Sequence, residues 1–253
     1  MNTTCESPVE PGSAYKTIDG ARPSVLVWDA PVRVVHWLLA ASFLGAFLTG
    51  ESERWRLLHV TLGYAVAGLV AFRLVWGLIG TRHARFASFV RGPAAVARYL
   101  RTLVSGRPEH HAGHNPAGAL AIVALLCLAA GVAVTGHLLY VDIGGDAAEE
   151  WHEALADGML VVVGLHVSGV LVASFLHREN LTRAMLTGRK RADPSEAIQH
   201  AWRPLAAVVL AAVAAWTAWQ YLATPPSPSG VHAVSDEARG HAGRSREHDD
   251  DRD

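Results

Sequence analysis

The sequence predicts an all-α membrane protein whose helices cross the bilayer five times. Three observations carry that prediction. The chain of 253 residues is 51% hydrophobic and only 18% charged, with a mean hydropathy of +0.20, and its apolar residues are gathered into long blocks. Five of those blocks reach the ~20 residues that a helix rising about 1.5 Å per residue needs to cross hydrocarbon. The connections between blocks alternate in charge, as loops on opposite sides of a membrane do.

Residues 1–26 form a polar segment with Pro8, Pro11, Gly12, Gly20 and Pro23. It lacks the apolar core of a cleaved signal peptide, so the first span is expected to act as its own insertion signal. Spans follow near 32–50, 57–80, 115–139, 151–176 and 201–223. Lys16, Arg22 and Arg33 precede or open the first span, and the next connection, "ESERWR", is balanced in charge. The connection 81–114 holds Arg82, Arg85, Arg91, Arg98, Arg101 and Arg107 against Glu109 alone. "YVDIGGDAAEE" then has four acids and no base. After the fourth span come Arg178, Arg183, Arg189, Lys190, Arg191 and Arg203 against Glu179, Asp193 and Glu196.

The positive-inside rule therefore puts the N-terminus and the two basic connections in the cytoplasm. Five crossings leave the C-terminus outside, which in a bacterial inner membrane is the periplasm. Within the first basic connection, arginines interleave with Val96, Tyr99, Leu100 and Leu103, a pattern that fits a helix lying on the lipid surface or an ordinary soluble connector. Residues 224–253 are rich in Pro, Ser and Gly and then acidic, and are expected to be disordered. No segment of useful length has the period of a strand.

Histidines stand inside these spans, where an ionisable group marks a functional candidate with a partner to be found. His36 lies one to two turns into the first span from the cytoplasmic side, and His59 lies near the outer end of the second. His152 is shallow on the outer side of the fourth span. His166, fourteen residues further on, is about 21 Å deeper on the same helical face. The four sort by depth into an outer pair, His59 with His152, and an inner pair, His36 with His166. Imidazoles paired across a bundle are what the two axial positions of a b-type haem require, and that ligation favours electron transfer over oxygen chemistry. A lone membrane histidine is more often an interhelical hydrogen-bonder; four that pair by depth on three helices favour two haem b groups.

Neighbouring features have two readings each. Gly45, Gly63, Gly164 and Gly169 suit either a flat macrocycle or close helix contacts. Arg33 and Arg73 suit a haem propionate, or else topology charge and snorkelling respectively. His137 fits an outer propionate, a quinone or plain interfacial placement. Asp142, Asp146, Glu149 and Glu150 fit steering of a basic carrier or simple solvation.

These residues resemble the prokaryotic cytochrome b-561 and hydrogenase-type cytochrome b family. The likeness covers roughly 27–190 and rests on "VWDAPVRVVHW", "LLHVTLGY", "GHNPAGA" and "WHEALA…GLHVSG". It implies a four-helix transmembrane haem-binding bundle, here with a fifth C-terminal transmembrane helix outside the resemblance. The implied ligands are His36, His59, His152 and His166, holding two haem b groups. The implied activity is electron exchange between ubiquinone or menaquinone and a redox partner. That partner is expected on the periplasmic face, as a c-type cytochrome or a catalytic subunit. Membrane lipid is the remaining partner, a homodimer is left open, and nucleic acid is not expected.

Two other readings compete. One is a membrane-anchor cytochrome subunit of a larger hydrogenase or dehydrogenase. The other is a histidine-lined proton or metal transporter without haem, against which the spans hold few acids, Glu153 and Asp157 alone standing near the outer pair. No glycine-rich nucleotide motif and no Cys-x-x-Cys-His sequence for covalent haem attachment is present.

Overall fold

The computed structural model describes residues 23–105 and 113–223. The N-terminus to residue 22, the stretch 106–112 and the tail 224–253 lie outside the described residues, so the expectations for the polar leader and the disordered tail fall there. The chain divides into two compact units, Met1–Val213 and Ala214–Asp253.

A short strand, β1 (Ser24–Leu26), leads into helix α1 (Ala30–Thr49). Asp29 starts α1: its carboxylate accepts from Val32 N at 2.8 Å, and Pro31 occupies the first turn, where a missing N–H costs nothing. The same carboxylate accepts from Trp76 Nε1 at 3.1 Å and Thr81 Oγ1 at 2.6 Å, which ties the start of α1 to the end of α2 (Arg56–Ile79). The long basic connection then folds into two short helices, α3 (Phe86–Phe89) and α4 (Pro93–Val104). In α4 Tyr99 is buried while Arg98 and Arg101 are exposed, so the helix is amphipathic as expected.

Helix α5 (Pro116–Tyr140) begins where the Asn115 side chain accepts from Gly118 N at 2.7 Å. Helix α6 (Gly145–Leu176) has 32 residues, about 48 Å at helical rise against a hydrocarbon core of about 30 Å. Its acidic first turns, with Asp146, Glu149 and Glu150 exposed, therefore extend past the apolar stretch that starts near residue 151. Helix α7 (Leu181–Thr187) ends at Gly188, whose φ of +80° is strained for any residue with a Cβ. A Cβ there would also lie 2.7 Å from Trp28 O.

Strand β2 (Arg189–Arg191) pairs antiparallel with β1, Val25 opposite Lys190. Val27 N and Trp28 N both donate to Gly188 O, at 2.9 and 3.0 Å. Strands of three residues are too short to show a period of two, which is why the sequence offered no sign of them. Helix α8 (Arg203–Ala223) closes the described chain.

Five helices are long and apolar enough to cross a membrane: α1, α2 with the 3-10 turn before it, α5, α6 and α8. The central cluster joins Phe43 of α1, Val66 and Val70 of α2, Ala129 of α5 and Met159 of α6, so four helices share one core. A second cluster of Val35, Leu69 and Val209 seats the first half of α8 beside α1 and α2. The first half of the fifth helix therefore packs on the bundle. Leu48, Leu78, Ile79 and Phe175 are more than 70% exposed, a surface that suits lipid and would be a liability in water. In the second unit Trp216 and Trp219 pack ring to ring at 5.5 Å.

Candidate cofactor site

The four sequence-chosen histidines meet in the two expected pairs. The rings of His59 on α2 and His152 on α6 are 6.1 Å apart between centroids. Those of His36 on α1 and His166 on α6 are 6.5 Å apart. The fourteen-residue spacing on α6 thus presents one ring to each of two other helices.

The His59/His152 pair is held by backbone. His59 Nδ1 lies 2.8 Å from Ala46 O. His152 Nδ1 lies 3.1 Å from both Val132 O and Thr135 Oγ1. A carbonyl can only accept, so each Nδ1 carries the proton and each Nε2 the lone pair. Metal-binding imidazoles are oriented in this way, with the second nitrogen donating to an acceptor behind the ring. The pair lines a cleft with Phe43, Ala46, Gly63, Tyr64 and Met159. At the other pair, His36 Nδ1 is buried without a hydrogen-bond partner among the described residues.

The donor set fits a haem. A metal–imidazole bond is about 2 Å, so two of them, with a ring radius of roughly 1.1 Å at each end, place ring centres about 6 Å apart. Both observed separations agree with that. Glycines separate into two kinds. A Cβ on Gly63, which lines the cleft, would meet no atom within 4 Å, which fits a cradle for a flat group; Gly164 and Gly169 have the same open space but are exposed. A Cβ on Gly45 would lie 2.7 Å from Leu62 Cδ1, so that glycine serves helix contact instead.

Arg33 donates from Nε to Asp29 O at 3.3 Å and from Nη1 to Leu186 O, which fastens α1 to α7. Arg73 differs. It is 7% exposed, its guanidinium carbon lies 4.8 Å from the Phe86 ring centroid, and its Nη1 has no hydrogen-bond partner. His137 joins the outer cleft through a 2.8 Å hydrogen bond between its Nδ1 and Tyr64 OH. Near the His36/His166 end, burial and then the charges of Arg73 and Lys190 push His114 down to about 3. Burial also lowers Lys190, opposed in part by Glu179.

Sequence reasoning missed three supports of the outer pair: the carbonyls of Ala46 and Val132, and Thr135. It also missed Gly136, where a Cβ would come 2.9 Å from His152 Cε1. The available signal was the small-residue series Gly131, Thr135 and Gly136 on α5, the bundle helix that supplies none of the four histidines.

The class that this geometry defines is a multi-pass membrane bundle whose four-helix core gathers two histidine pairs. Residues 27–188 match the family model described as prokaryotic cytochrome b561, and the chain belongs to that family. The family implies haem b. Among curated relatives, the chain is 22% identical over 217 residues to the "Probable Ni/Fe-hydrogenase B-type cytochrome subunit" of Bradyrhizobium diazoefficiens, covering 67% of this chain and 87% of the relative. A protein of the same description from Azotobacter vinelandii is 25% identical over 230 residues, covering 72% and 95%. The "Probable Ni/Fe-hydrogenase 1 B-type cytochrome subunit" of Escherichia coli K12 is 26% identical over 140 residues, covering 45% and 59%. No solved structure shows significant similarity to this chain.

Proposed function

We propose that this chain is a di-haem electron-transfer cytochrome, the membrane subunit linking quinone in the bilayer to a catalytic subunit of hydrogenase type. The observation that supports this most directly is the double pairing of His59 with His152 and His36 with His166 at ring separations of 6.1 and 6.5 Å. Each pair is assigned as the axial ligand set of one haem b. Bound there, haem supplies a reversible one-electron iron couple. Two imidazoles holding one iron would leave it little room for oxygen, and Ala46 O and Val132 O hold the outer rings with Nε2 available. Phe43, Phe47 and Met159 give the outer cleft an apolar wall that limits water.

The relatives' descriptions favour a hydrogenase subunit as partner over a free c-type cytochrome. Loop charge supports a cytoplasmic N-terminus and a periplasmic C-terminus in the inner membrane, with the His59/His152 pair nearer the periplasm. Ubiquinone or menaquinone is the membrane-side donor or acceptor. The haem-free transporter reading has less behind it: the matching family model and the curated relatives are described as cytochromes.

A reduced-minus-oxidised visible spectrum with a pyridine haemochrome count tests the reading. Two haem b per chain are expected, falling to about one in His59→Ala or His152→Ala as a ligand pair is broken. A folded, colourless protein would overturn it and return the histidines to the transporter reading.

A further inference from the structure

Among the described residues, Arg73 is a buried cation that forms no salt bridge. It lies in α2 between Leu69, which packs on Val35, and Trp76, which packs on Val32, so it stands within about one turn of His36 along the bundle. Its side chain is buried, its Nη1 has no hydrogen-bond partner, and among the described residues it forms no salt bridge. The obvious candidate is Asp29, which is close enough for attraction. Asp29 is already engaged by Val32 N, Trp76 Nε1 and Thr81 Oγ1. A buried guanidinium left in this state is costly unless an acceptor joins it.

His114, just before α5, points to the same place. Its ring lies 4.4 Å from Trp28 and 4.6 Å from Phe89 between centroids, and its Nδ1 is also buried without a partner. It feels the charges of Arg73 and Lys190, and His166 lies within electrostatic range of it. Two buried polar atoms without a hydrogen-bond partner among the described residues therefore sit beside the inner histidine pair. An anion with two acceptor oxygens would answer Arg73 Nη1 and His114 Nδ1 together, and a guanidinium suits a carboxylate in that role.

We propose that Arg73 and His114 form the seat for a propionate carboxylate of the haem held by His36 and His166. The inference rests on the di-haem reading. Haem carries its carboxylates on one edge, and this seat lies beside the ring pair. A lipid phosphate offers similar oxygens but would have to reach an arginine that is 7% exposed.

The test uses the full-length protein purified with its haems, comparing wild type with Arg73→Gln, Arg73→Lys and His114→Gln. His166→Ala first identifies the spectral component of the inner haem. If that variant retains both haems, the ligand assignment fails and the proposed seat beside it falls with it. Given the assignment, Arg73→Gln is expected to make the inner haem harder to reduce, because a positive charge near the carboxylate favours the electron. The oxidised-to-reduced ratio at a fixed applied potential should rise about tenfold for that haem and stay unchanged for the other. Resonance Raman propionate-bending bands should shift in Arg73→Gln and His114→Gln, and Arg73→Lys should restore most of the redox effect while keeping the fold. Unchanged potentials and bands in Arg73→Gln with both haems present would overturn the proposal. So would equal shifts of both haems, or loss of a co-purifying phospholipid with unaltered haem spectra.

Discussion

His152 shows how much one side chain's role depends on its surroundings. Val132 O fixes its tautomer, Thr135 adds a hydroxyl at 3.1 Å, and Gly136 lets the ring lie against the α5 backbone. These supports differ in what they lose on mutation. Thr135→Val keeps the Val132 carbonyl and removes one hydroxyl, so it should cost about 1 kcal/mol, seen as a small fall in Tm with both haems retained. Gly136→Val places carbon where His152 Cε1 already comes within 2.9 Å of a Cβ position. The ring must move, and the haemochrome count should fall to about one while the inner component's spectrum is unchanged. Retention of both haems in Gly136→Val would show that the ring is not held where the ligand role needs it. The histidines themselves were legible from sequence because depth along a helix is a one-dimensional quantity. Their hydrogen-bond acceptors were not, because Ala46 and Val132 act through backbone on helices remote in sequence.

Among the elements, the least expected part is the small assembly of β1, β2 and α7 at one end of the bundle. It is tied by Val27 N and Trp28 N to Gly188 O, by the β1–β2 ladder and by Arg33 reaching Leu186 O. Gly188 is its weak point, with φ +80° and Trp28 O 2.7 Å from where a Cβ would be. Gly188→Ala is therefore expected to cost about 1–2 kcal/mol from backbone conformation alone, with the clash adding to it. Thermal unfolding in detergent should show a clearly lower Tm than wild type, and an unchanged Tm would mean the turn relaxes freely. Arg33 joins this assembly through its hydrogen bond to Leu186 O, while its other bond stays within α1 at Asp29 O. The sequence placed Arg33 by its distance from His36, three residues, and that spacing does not tell which way a long side chain turns. The glycines make the same point: Gly45 and Gly63 look alike in the sequence, yet one touches Leu62 and the other meets nothing within 4 Å.

At the level of the molecule, α6 is the shared member, giving one histidine to α2 and one to α1. The first half of α8 braces α1 from the other side through Val209 and the Val35–Leu69 contact. A chain ending at residue 200 should keep both histidine pairs but expose that cluster. It is expected to purify with the wild-type haem count and a Tm lowered by several degrees, consistent with loss of a few buried side chains. Loss of the haem held by His36 in this truncation would instead assign the last helix a direct part in the site.

By itself the sequence determined the number of membrane helices, the alternation of loop charge and the two depths at which histidines stand. Those properties follow from length, hydropathy and helical rise, each of which is local. The tertiary structure alone decided which nitrogen of His59 and His152 has its lone pair, which glycines make room and which make contact, and that Arg73, among the described residues, has a buried Nη1 without an acceptor. Each of these depends on atoms brought from distant parts of the chain, where a carbonyl or a carboxylate either is or is not within hydrogen-bond reach.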